Sequence, residues 1–142
     1  MSEEFIPQVF VGIDISKAQL DVCLLPANKR LVFNNSPEGL EQLGEFLLSQ
    51  DSPVVVIEAT GRYEIPIAAE LISRGLPTAV VNPKRTRDFA RAIGRLAKTD
   101  SIDAYVLARF AHDIKPEIRP IPDESELFIR ELVVRRQQLL VL

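Results

Sequence analysis

The chain has little cysteine, no long apolar run and no overall excess of positive charge. Cys23 is the only cysteine, which excludes an internal disulfide and a metal cage built from thiolates, and its place in the run LDVCLL predicts a small buried residue. No apolar run approaches the roughly 20 residues that span a bilayer, and the N-terminus MSEEFIPQ is acidic where a signal peptide is basic. We therefore expect a cytoplasmic protein without a membrane partner.

The net charge is −3, but the positive charge is concentrated in one stretch. Residues 84–98 hold six positive side chains against the single acid Asp88. Most of the six are spaced three or four apart, so on a helix they would form one stripe that follows a phosphate backbone. A solvated helix face is the alternative, and Gly94 argues against one continuous helix. The predicted nucleic-acid contacts are Lys84, Arg85, Arg87, Arg91, Arg95 and Lys98.

Two carboxylates follow directly on apolar runs. The run VFVGI leads into Asp14, and the run VVVI leads into Glu58. Short apolar runs of this kind predict strands that are buried on both faces. Ligands of open sheets gather outside the carboxyl ends of strands, so the two acids would share one site if their strands are neighbours.

Two further carboxylates lie in the segment 98–112, KTDSIDAYVLARFAH, whose composition predicts a helix. Asp100 and Asp103 are spaced i, i+3 and fall inside the apolar arc of that helix. Like charges on a core-facing stripe repel each other and lose hydration, and a divalent cation would remove the conflict. Oxygen ligands suit Mg²⁺ or Mn²⁺ better than Zn²⁺.

Each of these acids also has an ordinary structural explanation. Asp14 can begin a turn, and Glu58 can cap the segment that follows it. Asp100 can be an N-cap with Asp103 in the first helical turn. For any single acid this explanation is the commoner one. To explain all four acids in this way, two strand ends and one helix face would all have to place acids inward by accident.

Four sequence motifs contain these residues in order: GIDISK at 12–17, IEATG at 57–61, VNP at 81–83 and KTDSIDA at 98–104. Together they resemble the N-terminal domain of the DEDD transposases of the insertion-sequence 110 family, over nearly the whole chain. The resemblance implies a fold like that of the RuvC Holliday-junction resolvase, a relative of ribonuclease H. It also implies that Asp14, Glu58, Asp100 and Asp103 are the catalytic, metal-binding acids.

The same resemblance implies a DNA recombinase that uses Mg²⁺ or Mn²⁺, with two ions, to cleave and rejoin strands when an insertion sequence transposes. It implies a bridge RNA as guide, a homo-oligomer, and a second domain whose serine is the nucleophile. Such a protein would act at the nucleoid of a prokaryotic cell. Lys17, Thr60 and Asn82 lie in the motifs, and we expect them to orient ligands or phosphates.

The pattern predicts an α/β fold with a mixed five-stranded sheet and helices on both faces. Strands are predicted at 9–14, 20–25, 30–34, 54–58 and 78–81, with helices at 37–50 and 64–74 between the later strands. We expect the first and fourth strands to be adjacent, as in ribonuclease H. Residues 1–115 would form the catalytic domain. Residues 116–142 would form a proline-stiffened link and the start of a coiled coil, and we expect the chain to be a piece of a longer protein.

Three other functions remain open from the residues. The GIDIS turn also resembles the first phosphate loop of actin-like ATPases and sugar kinases, although 58–61 is a poor second loop. A resolvase-like nuclease would use the same four acids. A non-catalytic module would bind RNA or partner proteins through the basic stripe and the terminal helix, and would leave the acids without a purpose.

Overall fold

The computed structural model of the protein describes residues 5–59, 61, 63–95 and 102–116. Within these residues the chain forms five strands and four helices, in an order that alternates after the third strand. The elements are β1 Val9–Ile15, β2 Gln19–Leu25, β3 Lys29–Asn34, α1 Pro37–Leu48, β4 Pro53–Glu58, α2 Glu64–Ser73, β5 Thr78–Val81, α3 Pro83–Ala92 and α4 Ala104–Ile114.

The strands form one mixed sheet in the order β3-β2-β1-β4-β5. The pairs β1–β2 and β2–β3 are antiparallel, while β1–β4 and β4–β5 are parallel. The predicted meander, the mixed five-stranded sheet and the adjacency of the first and fourth strands are confirmed. Because β1 and β4 run in the same direction, their carboxyl ends meet at one edge of the sheet.

Alternate residues of each strand point to opposite faces of the sheet. A hydrophobic cluster that includes helix residues covers each face. On one face, Val11 and Ile13 pack in a cluster with Leu43 and Leu47 of α1 and Leu71 of α2. On the other face, the second cluster joins residues from β1, β2 and β4 to α3 and α4: Phe10, Cys23, Val56, Ala90, Leu107 and Phe110. The predicted burial of Cys23 is confirmed.

Helix ends follow the local sequence. Ser36 caps α1 by accepting a hydrogen bond from the backbone N–H of Gly39 at 3.0 Å, and Pro37 occupies the first turn, where its missing N–H costs nothing. Helix α2 ends at Gly75, whose φ of +83° suits glycine. The N–H of Leu76 then bonds back to the carbonyl of Leu71, which completes a Schellman cap.

Helix α4 lies directly on β1 at Gly12, which pairs with Cys23 of β2 and Val56 of β4 in the middle of the sheet. A Cβ atom at Gly12 would collide with the backbone oxygen of Ala104 and the backbone nitrogen of Ala108. The absence of a side chain therefore sets the separation between α4 and the sheet.

The prediction that Asp103 lies inside a helix on its core-facing stripe is wrong. Helix α4 begins at Ala104, and Asp103 is its exposed N-cap with extended backbone, φ −105° and ψ 175°. Its carboxylate accepts a hydrogen bond from the N–H of Val106 at 2.9 Å. An aspartate competes well for the free N–H groups of a first turn, so the helix starts after it. Asp100 and Lys98, which we also placed in this helix, lie outside the described residues.

The prediction of one positive stripe from residue 84 to 98 is wrong beyond Arg91. Helix α3 ends at Ala92, and Gly94 has a φ of +73°. The N–H of Arg95 bonds to the carbonyl of Ala90, which forms a second Schellman cap and ends the helix. The exposed stripe on α3 therefore consists of Lys84, Arg87 and Arg91.

The predicted coiled coil and most of the proline-rich link, residues 117–142, lie outside the described part of the chain. No helix in the described part combines the length and the apolar character needed to cross a membrane.

Candidate active site

The carboxylates of Asp14 and Glu58 lie on the same face of the sheet. Asp14 follows Ile13, which is paired with Ile57 of β4, and Glu58 follows Ile57, so the two acids are neighbours at the ends of parallel strands. Strand alternation places both on the face that α3 and α4 cover, opposite Ile13 and Ile57. Both side chains are half-buried. The sequence prediction that the two strands bring these acids together is confirmed.

A third carboxylate, Asp21, joins them, and the sequence prediction missed it. Asp21 of β2 is the direct register partner of Asp14 across the antiparallel pair. Residues directly opposite on one face have Cβ atoms only about 4.5–5.5 Å apart, and like charges at that distance are destabilising. The sequence signal was the acid inside the otherwise apolar run LDVCLL. Only the strand register, however, shows that this acid lies opposite Asp14.

A cleft of about 230 Å³ opens beside these acids. Asp14 and Asp21 line it from the sheet, and Asp103 and Ala104 line it from the start of α4. Arg30 of β3 lines the cleft as well, yet no ion pair joins it to an acid within the described residues. The cleft therefore combines three carboxylates with one guanidinium group that they do not neutralise.

The local electrostatics are unfavourable to further negative charge. Burial raises the pKa of the Asp14 carboxyl above its usual range, and the charges of Asp21, Glu58 and Asp103 raise it further. An ionised Asp14 is thus destabilised by its surroundings, which is the environment that a bound cation would relieve.

The donor chemistry of the cleft fits a hard divalent cation, since every acid there offers only oxygen. Within residues 5–59, 61, 63–95 and 102–116, however, no three His, Cys, Asp or Glu side chains are grouped closely enough to hold a metal ion. Asp100, the fourth predicted ligand, lies outside those residues. Asp14, Glu58 and Asp103 converge on one end of the sheet and would need to draw closer around an ion.

We expect Asp14→Asn to stabilise the metal-free fold at neutral pH. The folded-state pKa of Asp14 is raised, so its ionisation costs folding free energy above that pKa. The cost declines as pH falls through the folded-state pKa and vanishes below the unfolded value of about 3.9. Melting with a chelator at several pH values should show a gain of a few degrees at most at pH 7, because the side chain is only half-buried, and no gain at pH 3.

The control for this prediction is Glu41→Gln, which removes one exposed acid of α1 on the opposite face of the sheet. It matches the change in net charge, so general charge effects should appear in both variants. An equal gain for both variants, or a gain for Asp14→Asn that does not depend on pH, would contradict the raised pKa.

Glu58 is held by a residue that the sequence prediction also missed. Thr86 of α3 is fully buried, and its hydroxyl lies 2.8 Å from Oε2 of Glu58 and 3.0 Å from the carbonyl oxygen of Pro83. The hydroxyl has one proton to donate, and both oxygens are acceptors. The available signal was that Thr86 and Ala90 are small uncharged residues, four apart, in a helix that is otherwise strongly basic.

The predicted nucleic-acid contacts Lys84, Arg85, Arg87, Arg91 and Arg95 are all exposed. Arg91 pairs with Asp88 at 3.5 Å, an exposed ion pair that contributes little stability. Arg85 and Arg95 instead lie over aromatic rings, at 5.3 Å from the ring centroid of Phe110 and 4.2 Å from that of Tyr105. Contact with nucleic acid remains a prediction for this set.

Of the three residues predicted to support the site, the structure describes two, and these lie in different parts of the fold. Lys17 lies in the exposed turn between β1 and β2, and Thr60 lies outside the described residues. Asn82 caps α3, with Oδ1 accepting from the N–H of Lys84 at 2.8 Å. The side-chain oxygen of Asn82 therefore already accepts a hydrogen bond that caps α3. Asn82 would affect the site only indirectly, by positioning α3 and with it Thr86.

Comparison with known proteins agrees with the motifs. The model of the insertion-sequence 110 DEDD family, described as a transposase, matches residues 11–141. Two curated proteins, each named pilin gene-inverting protein, one from Moraxella bovis and one from Moraxella lacunata, are each 28% identical over 136 residues. The alignment covers 92% of this chain and 42% of each relative, so the chain spans about two-fifths of their length.

Proposed function

Because the chain belongs to the DEDD transposase family of insertion sequence 110, we propose that it is the ribonuclease H-like, RuvC-like catalytic domain of a DNA recombinase. In this proposal the domain transfers phosphoryl groups on DNA, which cleaves and rejoins strands during transposition. The order β3-β2-β1-β4-β5, with β1 and β4 parallel at its centre, supports that fold.

The observation that carries the proposal is the meeting of carboxylates from three separate elements at one end of the sheet. Asp14 and Glu58 come from adjacent parallel strands, and Asp103 comes from the start of the helix that packs on them. Burial, together with the charges of Asp21, Glu58 and Asp103, already raises the pKa of Asp14. Grouping like charges in this way costs folding free energy, and a role in solubility alone would not require it.

The names of the relatives point in the same direction. Pilin gene-inverting proteins are named for inverting a gene, a rearrangement that requires breaking and rejoining DNA strands. We carry over to this chain only the class of reaction. We do not carry over the DNA target or the direction of rearrangement, because these are properties of the longer relatives.

The acids act as ligands in the proposed mechanism. Asp14, Glu58, Asp100 and Asp103 would hold Mg²⁺ or Mn²⁺, and two such ions would supply charge stabilisation for an in-line displacement at phosphorus. Thr86 would keep one oxygen of Glu58 fixed, and the N-terminal turn of α4 would keep Asp103 fixed. The basic residues of α3 would hold the phosphate backbone beside the acids.

The partners follow from the same family membership. We propose DNA as substrate, a bridge RNA as guide, and a homo-oligomer assembled through a coiled coil in residues 116–142. We also propose that a serine outside this chain supplies the nucleophile.

The test is thermal melting of the 142-residue chain with a chelator or with several millimolar Mg²⁺ or Mn²⁺. We expect the metal to raise the melting temperature, because a ligand that binds only the folded state stabilises it, by about 2.7 kcal/mol at 100 times Kd. Asp14→Asn, Glu58→Gln and Asp103→Asn should each remove most of the rise. Asparagine is a good N-cap, so Asp103→Asn removes charge without removing the cap of α4.

Glu41→Gln should keep the full metal response. The same series is repeated with a DNA oligonucleotide present, so that a site completed by DNA is also detected. A metal response that survives in all three variants, or no metal response with or without DNA, would overturn the proposal.

A further inference from the structure

Tyr105, in the first turn of α4, is surrounded by guanidinium groups. The Cζ atoms of Arg95, Arg30 and Arg109 lie 4.2, 5.7 and 6.0 Å from its ring centroid. Arg109 is already engaged, because it pairs with Asp113 at 2.9 Å and donates to the Tyr105 hydroxyl at 3.2 Å. Within the described residues, neither Arg30 nor Arg95 forms an ion pair with a carboxylate.

The arrangement places two guanidinium groups that form no ion pair within the described residues at the rim of the acidic cleft. Arg30 lines the cleft that also holds Asp14 and Asp103, but its guanidinium lies toward Tyr105 and forms no ion pair with these acids. Arg95 lies over the same ring and follows directly on the turn that ends α3. The positive charge therefore runs from the cleft across Tyr105 to the end of the basic helix.

Stability alone does not account for this pair. An exposed cation–π contact contributes little stability, and two guanidinium groups on one ring repel each other. Both arginines are exposed. An anion that both can contact would remove the repulsion, and a planar guanidinium suits phosphate oxygens particularly well.

We infer that Arg30, Tyr105 and Arg95 form a docking surface for a DNA strand that leads its phosphates past the carboxylates. The inference rests on the proposed function and adds Arg30 and Tyr105 to the predicted contact Arg95: Arg30 contacts the phosphate nearest the acids, and Arg95 contacts a neighbouring one. The ring of Tyr105 holds the two guanidinium groups in place beside the cleft.

The test is fluorescence anisotropy of a labelled single-stranded DNA with the 142-residue chain, in a chelator, at several salt concentrations. Each phosphate contact contributes about 0.7 to the slope of log affinity against log salt for single strands. Arg30→Gln and Arg95→Gln should each lower the slope by about that amount, and the double variant by about twice as much. Arg74→Gln, which removes one positive charge from α2 on the opposite face, should leave the slope unchanged.

The outcomes are separable from those of the proposed function. The chelator makes this binding independent of metal, and the double variant should keep the metal-dependent rise in melting temperature, which also shows that it folds. An unchanged slope in the double variant, equal losses for Arg74→Gln, or no DNA binding by the parent would overturn the docking surface alone. If the variants change the slope with RNA but not with DNA, the proposed DNA-docking surface is also overturned, because the surface would then bind the guide RNA.

Discussion

The substitution Gly12→Ala is expected to cost about 3–5 kcal/mol of folding free energy, a large fraction of the roughly 5–15 kcal/mol that stabilises a typical domain. The added Cβ would meet the backbone of α4 at Ala104 and Ala108 and the Cβ of Leu107. Backbone atoms cannot rotate away as a side chain can, so the helix would have to lift from the sheet. Urea denaturation measured by circular dichroism should show a large fall in the midpoint.

The matched control is Gly44→Ala in α1. There the added Cβ would meet only the side chain of Arg74, whose far end is flexible. Alanine is favoured over glycine inside a helix by about 1 kcal/mol, which offsets the crowding, so stability should change little. Equal losses in the two variants would show that α4 does not depend on close contact with β1. The position of Gly12 within β1 also explains the glycine of the GIDIS motif through packing, with no need for a phosphate loop.

The substitution Thr86→Val should weaken metal binding by about 10–100-fold, the usual effect of removing a group that orients a metal ligand. Valine keeps the shape of the buried threonine but cannot donate to Oε2 of Glu58. Glu58 would then lose its fixed orientation, with a stability loss of about 1 kcal/mol. Isothermal titration with Mn²⁺ would measure the affinity, and melting in a chelator would measure the stability.

Thr86→Ser separates the hydrogen bond from packing. Serine keeps the hydroxyl but loses a buried methyl group, so it should cost about 1 kcal/mol of stability and leave the Mn²⁺ affinity nearly intact. The two variants should therefore lose similar stability and differ in affinity. If Thr86→Val binds Mn²⁺ as tightly as the parent, Thr86 supports only the fold.

Much of the fold could be predicted from apolar runs and turn residues. The strand at 78–81 is confirmed at both ends, and Gly75 ends α2 as expected. The start of α4 could not be predicted, because the apolar periodicity of 104–112 continues backward through Asp103. Capping depends on one side-chain hydrogen bond, and periodicity does not report it.

The candidate site shows the same limit. Asp14 and Glu58 could be found because each acid interrupts the end of an apolar run. Asp21 and Thr86 become relevant only through contacts between elements: one through the register of β1 with β2, the other through the packing of α3 beside β4. Asp100 remains a prediction that these contacts do not test.

The role of Asp103 as the N-cap of α4 affects how the site would bind a metal ion. One oxygen of Asp103 already accepts a hydrogen bond from the N–H of Val106, so its second oxygen is the freer ligand for a cation and two-oxygen coordination is disfavoured. Mg²⁺ requires about six oxygens in near-octahedral geometry, and single-oxygen donors leave several of those places to water or to DNA phosphate. Metal and DNA would then each raise the affinity for the other by the same factor. Under the proposed function, the site would therefore hold metal weakly in the absence of DNA and more tightly once a phosphate completes the coordination.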